Sequence, residues 1–565
     1  MKVRSAILFF LMSVMTGTSS HAAPTDIVFP PIDGSPNLFP ASTGFAFGAQ
    51  IGFTVVQTSS AHRPQLLSFS VTEGRILDQL DLDSDFGSVE GSASRSLIFL
   101  KVHEQSGLLI LYGQGVDGSQ RLSVAKSDRD GRMRKIWSIM SESPGGLVSA
   151  DSDLAVNFDG SRICWTYYSS GVGEAELHRR DTLDVPAARM PWLVRRSVDG
   201  SQAAQHNAPV SSMSRLARRL ALIRVDDGTR LASVELRFDS LFSSSVFFDD
   251  VNNRVVALAE TTAYIFAAGF DRLDPDFTLT PELRLSQVFG QGMSRDGRFL
   301  LGYGGYIPDE AGSGVNFYFA YDLQRRTAYE LDLKEQLFPF VNGMTFHRET
   351  GVLFAPLVLK LTLGAGESLN DGIPRETDVI QLEPDGSLTL AARMSVPKRS
   401  ADGSRLKLTT DSSVEVSATG ALAFIQSDNN RLFTFDTANG EIVSEQLVDR
   451  AGRLLSIRLL EPLNRILASD LSTKNLLIVD ASTAPAIASV KLKRHRTVIA
   501  GRNFLSGAHL LINGVDQGLA KRSAENPGGE IVVDQGKRDF PDGEEFSLEV
   551  VNRDGARSAP FVLRR

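Results

Sequence analysis

Three aspartates alternate with other residues in one short acidic segment. Asp81, Asp83 and Asp85 are followed by Gly87, which gives the spacing D-x-D-x-D-x-G after a predicted strand. Carboxylates at alternate positions of a tight loop can converge on Ca²⁺, which takes about six to eight oxygen ligands. The glycine lies one place later than in an EF-hand loop, and Ser92 stands where that loop has its bidentate carboxylate. The segment could therefore bind calcium, but its spacing favours a solvated acidic turn.

The other patterns that could carry chemistry are incomplete. Gly113, Gly115 and Gly118 follow an apolar run, as in a dinucleotide-binding loop, but a strand and a hairpin follow where that site requires a helix N-terminus. The eight histidines form no H-x-H, H-x-x-x-H or H-E-x-x-H pair, so the spacing of a transition-metal site is absent. No G-x-S-x-G nucleophile motif occurs. A catalytic set assembled from distant strands stays open.

Several single residues have a structural interpretation. Cys164 is the one cysteine, so no internal disulfide can form, and its apolar surroundings predict an inert core thiol. The tryptophans are interpreted as packing anchors in preference to a sugar-binding platform; they are Trp137, Trp165 and Trp192. A basic run is interpreted as a solvated or linker-contacting strand in preference to a binding patch; it comprises Lys491, Lys493, Arg494 and Arg496.

The composition limits the class of partner. Hydrophobic residues at 42% and charged residues at 22% are typical of a soluble globular protein. The net charge is −8 and the isoelectric point is about 5.6. A protein with this acidic balance has no broad basic surface for a polyanion, so nucleic-acid binding is disfavoured.

The N-terminus has the pattern of a secretory signal peptide. Lys2 and Arg4 precede the apolar stretch 6–15, and the small residues of Ser20-His21-Ala22 predict cleavage after Ala22. The apolar stretch is shorter than the roughly 20 residues that a membrane-spanning helix needs. We therefore expect residues 1–22 to be removed and the protein to be exported, periplasmic or secreted, without membrane insertion. The lack of cysteine pairs fits a bacterial protein of this kind.

Two short phrases recur along most of the chain. The first is a turn that opens an apolar strand, as in Asp159-Gly160-Ser161-Arg162-Ile163 and Asp296-Gly297-Arg298-Phe299-Leu300. The second is a strand with a glycine-bearing hairpin, as in 66–80 (LLSFSVTEGRILDQL) and 220–234 (LALIRVDDGTRLASV). Strand repeats at a spacing of roughly fifty residues predict a β-propeller. We expect an all-β fold with seven blades over residues 42–490, eight blades being the alternative, after an extended leader at 23–41.

The repeat stops near Val490, and a different pattern follows. Residues 491–565 contain short alternating strands with turns at Asn513-Gly514, Asp542-Gly543 and Asp554-Gly555. About 75 residues of this kind predict a small immunoglobulin-like β-sandwich.

Two family resemblances extend this interpretation. The tail resembles the IPT/TIG immunoglobulin-like domain at Gly501-Arg502-Asn503-Phe504, at Leu511-Ile512-Asn513-Gly514 and over 550–558 (VVNRDGARS). The repeat region is similar to the YVTN or lactonase-like superfamily of bacterial propellers at Phe435-Asp436-Thr437-Ala438-Asn439-Gly440. The first resemblance implies an interaction or surface protein, and the second allows a lactonase-like hydrolase.

Three functional hypotheses follow. The leading one is a non-catalytic binding or scaffold protein that presents the propeller rim or central mouth to a protein or a glycan. The alternative is a lactonase-like or other metal-dependent hydrolase, with acidic residues around the central channel. The third is a structural protein stabilised by calcium at Asp81, Asp83 and Asp85. A fold alone does not decide among them.

Overall fold

The protein, described here from a computed structural model, is built almost entirely of β-strands. The described residues are 25–27, 43–57, 64–86, 98–114, 119–144, 154–169, 217–236, 245–259, 262–267, 274–278, 287–306, 315–332, 337–339, 344–359, 376–397, 399–400, 406, 414–427, 430–448, 451–452, 454–470, 472, 475–481, 484–523 and 528–565. The predicted signal peptide and Trp192 lie outside them. No helix in the described residues is long and apolar enough to cross a bilayer.

The described residues before position 481 form eight antiparallel sheets, which succeed one another along the chain. The strand β1 (Thr25–Ile27) is separated in sequence from the sheet that it joins. The first four sheets have the following strands. Sheet 1 is β2 (Thr43–Ala46), β3 (Ile51–Gln57), β4 (Pro64–Ser70) and β5 (Ile76–Asp81), and a one-turn helix α1 (Asp83–Phe86) follows it. Sheet 2 is β6 (Ile98–His103), β7 (Leu108–Gln114), β8 (Ser119–Ser127) and β9 (Met133–Pro144). Sheet 3 is β10 (Leu154–Val156), β11 (Arg162–Ser169), β12 (Ala217–Arg224) and β13 (Arg230–Leu236). Sheet 4 is β14 (Ser245–Asp249), β15 (Arg254–Ala259), β16 (Thr262–Ala267) and β17 (Asp274–Thr278).

The second four sheets continue the same order. Sheet 5 is β18 (Gln287–Met293), β19 (Phe299–Tyr306), β20 (Val315–Asp322) and β21 (Thr327–Asp332). Sheet 6 is β22 (Leu337–Pro339), β23 (Thr345–His347), β24 (Val352–Leu359), β25 (Glu376–Leu382) and β26 (Leu388–Ser395), with β22 and β23 both paired to β24. Sheet 7 is β27 (Val414–Val416), β28 (Leu422–Ser427), β29 (Arg431–Asp436) and β30 (Glu441–Leu447). Sheet 8 is β31 (Leu454–Leu460), β32 (Arg465–Asp470), β33 (Asn475–Asp480) and the separate strand β1.

The two recurring phrases form the same two turns in successive sheets. The first phrase makes the first turn, between the first two strands of a sheet, and the second phrase makes the third turn, between the last two strands. Gly297 in the first turn of sheet 5 has φ +69°. This backbone conformation favours glycine because it has no Cβ. The Asp296 side chain closes the same turn by accepting a hydrogen bond of 3.0 Å from the amide of Arg298.

Each sheet buries both faces against its neighbours. Eight hydrophobic clusters each combine residues of two sheets, and each sheet therefore shares one cluster with the sheet before it and one with the sheet after it. The cluster that contains Val56, Leu67 and Leu467 joins sheet 8 back to sheet 1. Such sheet-on-sheet packing in chain order is a β-propeller, so the all-β and propeller expectations are confirmed.

Sheet 8 contains a strand from a distant part of the sequence, which the recurring phrases do not reveal. Its outermost strand is β1, in which Thr25 pairs with Ile478 and Ile27 with Leu476. One of its four strands therefore comes from the segment that the sequence analysis assigns to the extended leader. The described residues before position 481 form eight sheets, where the sequence predicts seven blades with eight as the alternative.

The C-terminal residues form two further sheets around a core of their own. One sheet is β34 (Ala486–Leu492), β35 (Thr497–Arg502), β39 (Glu530–Val533) and β38 (Lys521–Arg522). The other is β37 (Val515–Leu519), β36 (His509–Ile512), β40 (Glu545–Val551) and β41 (Phe561–Arg564). Ile499, Leu510 and Phe546 belong to one cluster that both sheets share. We call these residues, 486–565, the C-terminal unit; the boundary expected at residue 490 falls inside β34.

Candidate interaction surface

The three aspartates proposed for calcium lie at the end of sheet 1. Asp81 ends β5 and is exposed, Asp83 begins α1 and its side chain is outside the described part, and Asp85 is buried. The Asp85 carboxylate lies 2.6 Å from Lys135 Nζ and accepts a hydrogen bond of 3.0 Å from Ser123 Oγ. This carboxylate is thus held by a cation and a hydroxyl group of sheet 2. Among the described residues, no group of three or more His, Cys, Asp or Glu side chains could hold a metal ion, so calcium binding stays a prediction.

The cysteine and two tryptophans have packing roles. Cys164 is fully buried, and this burial raises the pKa of its thiol far above the ordinary value. Such a thiol remains protonated at neutral pH and is a poor nucleophile. Trp137 donates a hydrogen bond of 2.6 Å from its indole N–H to the carbonyl of Val225, and Trp165 stacks on Tyr167 with ring centroids 4.6 Å apart. Both rings therefore take part in packing within the propeller.

The first and third turns of the sheets lie at one end of the propeller, which we call the turn face. Consecutive first turns touch one another through polar contacts. These contacts are Phe47 N to Glu104 O (3.1 Å), His103 Nε2 with Phe158 O (2.8 Å), Phe158 N to Asp250 Oδ1 (3.1 Å), Arg254 Nη2 to Gly297 O (2.9 Å), Arg348 Nη2 to Arg295 O (3.3 Å) and Ala418 N to Glu461 Oε2 (2.6 Å). The His347 ring also makes a hydrogen bond with the backbone of Ala418. The turn face is therefore a connected belt of short turns.

Two histidines that the sequence analysis treats as isolated occupy equivalent places in this belt. His103 Nδ1 lies 2.8 Å from Ser106 Oγ in the first turn of sheet 2, and His347 Nδ1 lies 2.7 Å from Thr350 Oγ1 in that of sheet 6. Both belong to the pattern H-x-x-[S/T]-G, which replaces the Asp-Gly turns of sheets 3 and 5. This shared pattern is visible in the sequence, but each copy contains a single histidine and so does not have the spacing of a metal-binding pair.

Burial lowers the pKa of His347. The hydrogen bond with the Ala418 backbone and the charges of Glu349 and Glu461 act in the opposite direction without cancelling the effect of burial. Because the ordinary value is about 6.5, this imidazole is neutral at pH 7. It joins the turns of sheets 6 and 7 as an uncharged hydrogen-bonding group.

The turn face exposes large apolar side chains on two turns that contact each other. Phe158 in sheet 3 is 69% exposed and Val251 in sheet 4 is 64% exposed. The Phe158 backbone is held on both sides, since its N–H donates a hydrogen bond to Asp250 and its carbonyl oxygen lies 2.8 Å from His103 Nε2. A Cβ atom on the next-but-one residue, Gly160, would lie 3.0 Å from His103 Nδ1, so the turn also packs tightly against sheet 2. We call Phe158, Asp159, Asp250 and Val251 the Phe158 patch.

The patch is acidic as well as apolar. Hydrogen bonds from the side chain and the backbone amide of Ser161 lower the pKa of Asp159, and further contacts with Asn157 and Arg162 act in the same direction. Asp159 is therefore ionised at neutral pH. The Asp250 carboxylate accepts a hydrogen bond from the amide of Phe158, and Asp250 is exposed to solvent.

A second part of the turn face is covered by the C-terminal unit. Asp436, in the third turn of sheet 7, is fully buried and accepts hydrogen bonds from Ser506 N (2.7 Å), Arg522 Nη1 (3.2 Å) and Arg553 Nη1 (2.5 Å). Leu505 enters the hydrophobic cluster between sheets 7 and 8. We call this contact the seat. It fixes the C-terminal unit on the propeller through one apolar side chain and two arginines.

Comparison with known proteins finds distant structural similarity only. No family model and no curated protein matches the chain. The chain is similar in fold to the Dos1 propeller (9% identity, 80% of this chain and 93% of that one, TM-score 0.45). It is also similar to the computationally designed Ika8 protein (10%, 80% and 99%, TM-score 0.40) and to the Myceliophteria thermophila Cps50 (Swd1) β-propeller domain (12%, 65% and 92%, TM-score 0.35). Resemblance at this level carries no argument about partners or activity.

Proposed function

We propose that this protein is a non-catalytic protein-binding scaffold whose docking surface is the Phe158 patch on the turn face. The observation that carries the proposal is the presentation of Phe158. Its side chain is 69% exposed while both polar groups of its backbone are already engaged by neighbouring turns.

Aromatic side chains dominate the binding energy of protein interfaces when they enter a pocket on the partner. Fixing an anchor before binding reduces the conformational entropy that association costs. The backbone of Phe158 is already held by its neighbours, which meets the second condition. The exposed Val251 in the next sheet would enlarge the apolar contact. The carboxylates of Asp159 and Asp250 favour a partner with basic groups around an apolar pocket.

The finer architecture is part of the proposal. We place eight blades in one ring, closed where β1 pairs with β33. The C-terminal unit is proposed to be an immunoglobulin-like sandwich of the IPT/TIG kind. Export after cleavage near Ala22 would place the partner outside the cytoplasm.

A protein is preferred to a glycan as the partner because the exposed groups are apolar and acidic, and the described tryptophans are engaged in packing. The metal-dependent hydrolase has no supporting ligand set among the described residues. It therefore remains the alternative hypothesis without a site.

Site-specific photo-crosslinking tests this function. A photoreactive phenylalanine analogue replaces Phe158 in the full chain, and a matched analogue replaces Leu390, which is 49% exposed on the outer strand β26. We expect a discrete protein adduct from position 158 in cells of the source organism, and the loss of that adduct when Val251→Asp is added. Equal adducts from both positions, or an adduct that survives Val251→Asp, would contradict the proposal. Unchanged melting temperatures show that the variants fold.

A further inference from the structure

Cationic side chains collect at one end of the C-terminal unit. The hairpin turn between β34 and β35 exposes Lys493, Arg494 and Arg496, and Lys491 is exposed on the strand before it. A second loop lies beside this hairpin, because the amide of Lys537 donates a hydrogen bond of 2.9 Å to the carbonyl of Lys493. Six exposed residues of this hairpin and loop form what we call the basic tip: Lys491, Lys493, Arg494, Arg496, Lys537 and Arg538.

The charges of the basic tip are not neutralised locally. In the part of the chain that the structure describes, none of its six side chains forms an ion pair. The Asp539 carboxylate accepts a hydrogen bond from the amide of Gly536, and the Asp542 carboxylate lies 2.8 Å from Arg565 Nε. The neighbouring carboxylates Asp534 and Glu545 are paired with Lys521 and Arg564, each at 2.7 Å. Glu544 is exposed as well. The tip is thus a local positive surface on a protein whose net charge is −8.

The basic tip points away from the propeller. Ser506, which belongs to the seat, follows the C-terminal end of β35 at Arg502, whereas the tip lies at the turn that joins β34 to β35. β34 has seven residues, which corresponds to roughly 20 Å of strand. A contact at the tip therefore involves no residue of the seat or of the Phe158 patch.

We infer that the basic tip docks the protein on an anionic lipid surface without inserting into it. The six exposed cationic residues lie on a hairpin and a neighbouring loop at one end of the unit, where a flat anionic surface can meet several of them at once. Each lysine or arginine near an anionic bilayer contributes about 1 kcal/mol. The acidic remainder of the protein does not prevent this contact, because charges more than about 10 Å from the surface are largely screened at physiological ionic strength.

Vesicle co-sedimentation of the full-length protein tests this inference. The probes are vesicles of phosphatidylcholine alone and vesicles of phosphatidylcholine with phosphatidylglycerol. The test variant is Arg494→Gln/Arg496→Gln. Its matched control is Lys126→Gln/Arg129→Gln, which removes the same charge from exposed positions of sheet 2.

We expect binding to the anionic vesicles alone, a decrease of about thirtyfold for the test variant and little change for the control. Raising the salt concentration should release the protein. Equal binding to both kinds of vesicle, equal losses in both variants, or binding to heparin or DNA without binding to vesicles would overturn the inference. None of these results depends on the Phe158 patch, so the proposed function is tested separately.

Discussion

The third turns of sheets 5 and 7 contain a buried aspartate at equivalent positions. The arginines that pair with these two aspartates come from different parts of the protein. In sheet 5, Asp322 accepts hydrogen bonds from Arg298 Nε (2.9 Å) and Nη2 (2.6 Å), and Arg298 belongs to the first turn of the same sheet. In sheet 7, Asp436 accepts instead from Arg522 and Arg553 of the C-terminal unit. One turn is complete within its own sheet, and the other is completed by a separate unit.

A single substitution in the repeat accounts for the difference. The first turns align as Ser294-Arg295-Asp296-Gly297-Arg298 and Ser417-Ala418-Thr419-Gly420-Ala421. The carbonyls of Arg298 and Ala421 accept from the equivalent amides of Leu323 and Thr437. Ala421 therefore stands where sheet 5 has its arginine, and Arg553 reaches the Ala421 carbonyl at 3.3 Å.

This comparison teaches how a repeat protein can select a site for an added domain. A buried carboxylate is costly unless it is paired and hydrogen-bonded. In sheet 5, burial alone would raise the pKa of Asp322, but the hydrogen bonds from Arg298 and from the amides of Arg325 and Gln324 outweigh it and lower the pKa. Sheet 7 lacks the internal arginine, so Asp436 keeps one hydrogen bond of 3.0 Å from the amide of Ala438 and receives its cationic partners from the C-terminal unit.

Removal of the buried carboxylate in sheet 7 should have the largest effect. Asp436→Ala leaves Arg522 and Arg553 without their shared acceptor inside the interface, and we expect the seat to weaken by about 3 kcal/mol. Limited proteolysis should then release the C-terminal unit from an otherwise folded propeller. The comparison variant Asp322→Ala should destabilise the propeller without this release, and release by both variants alike would contradict the distinction between the two turns.

Restoring the missing arginine should reduce the dependence on the C-terminal unit. Arg553→Ala should weaken the seat by about 2 kcal/mol, because a charged hydrogen bond to a buried carboxylate is lost. Ala421→Arg in the same molecule should recover part of the stability measured by denaturant unfolding, since it recreates the arrangement of sheet 5. The control Ala418→Arg adds the same charge to that turn at a position equivalent to Arg295. Equal recovery by both substitutions would show that charge alone, and not the equivalent position, is responsible.

The smallest expected effect concerns pH. The folded pKa of His347 is lowered below its unfolded value, so the unfolded state binds more protons as the pH falls from about 6.5. Stability should therefore decrease over this range, by about a few tenths of a kcal/mol after allowance for solvent screening. His347→Gln should flatten the dependence of the melting temperature between about pH 7 and pH 5. The exposed control His495→Gln should leave it unchanged, and a parallel change in both variants would refute the assignment.

The repeating turns of the fold could be predicted because they are local. Asp296-Gly297 and its counterparts specify a tight turn through a side-chain hydrogen bond and a glycine conformation, and both act within five residues. The strand β1 could not be assigned to sheet 8, because its pairing with Leu476, Leu477 and Ile478 joins residues more than 400 positions apart. Local preference in a three-residue segment does not identify such a partner.

The candidate surfaces show the same limit. Phe158 directly precedes the predicted Asp159-Gly160 turn, but its backbone is held by Asp250 and His103, which lie in other sheets. The basic run that begins at Lys491 is visible in the sequence, but Lys537 and Arg538, which extend it into the basic tip, come from a distant loop.

By itself, the sequence determined that this chain consists of repeated strands and tight turns, since periodic side chains and glycine conformations act over short distances. Only the tertiary structure decided which turns touch, which aspartate needs an arginine from outside its sheet, and which charges remain unpaired. The reason is that burial and electrostatic pairing depend on distances in space, and in this protein the decisive partners are tens to hundreds of residues apart.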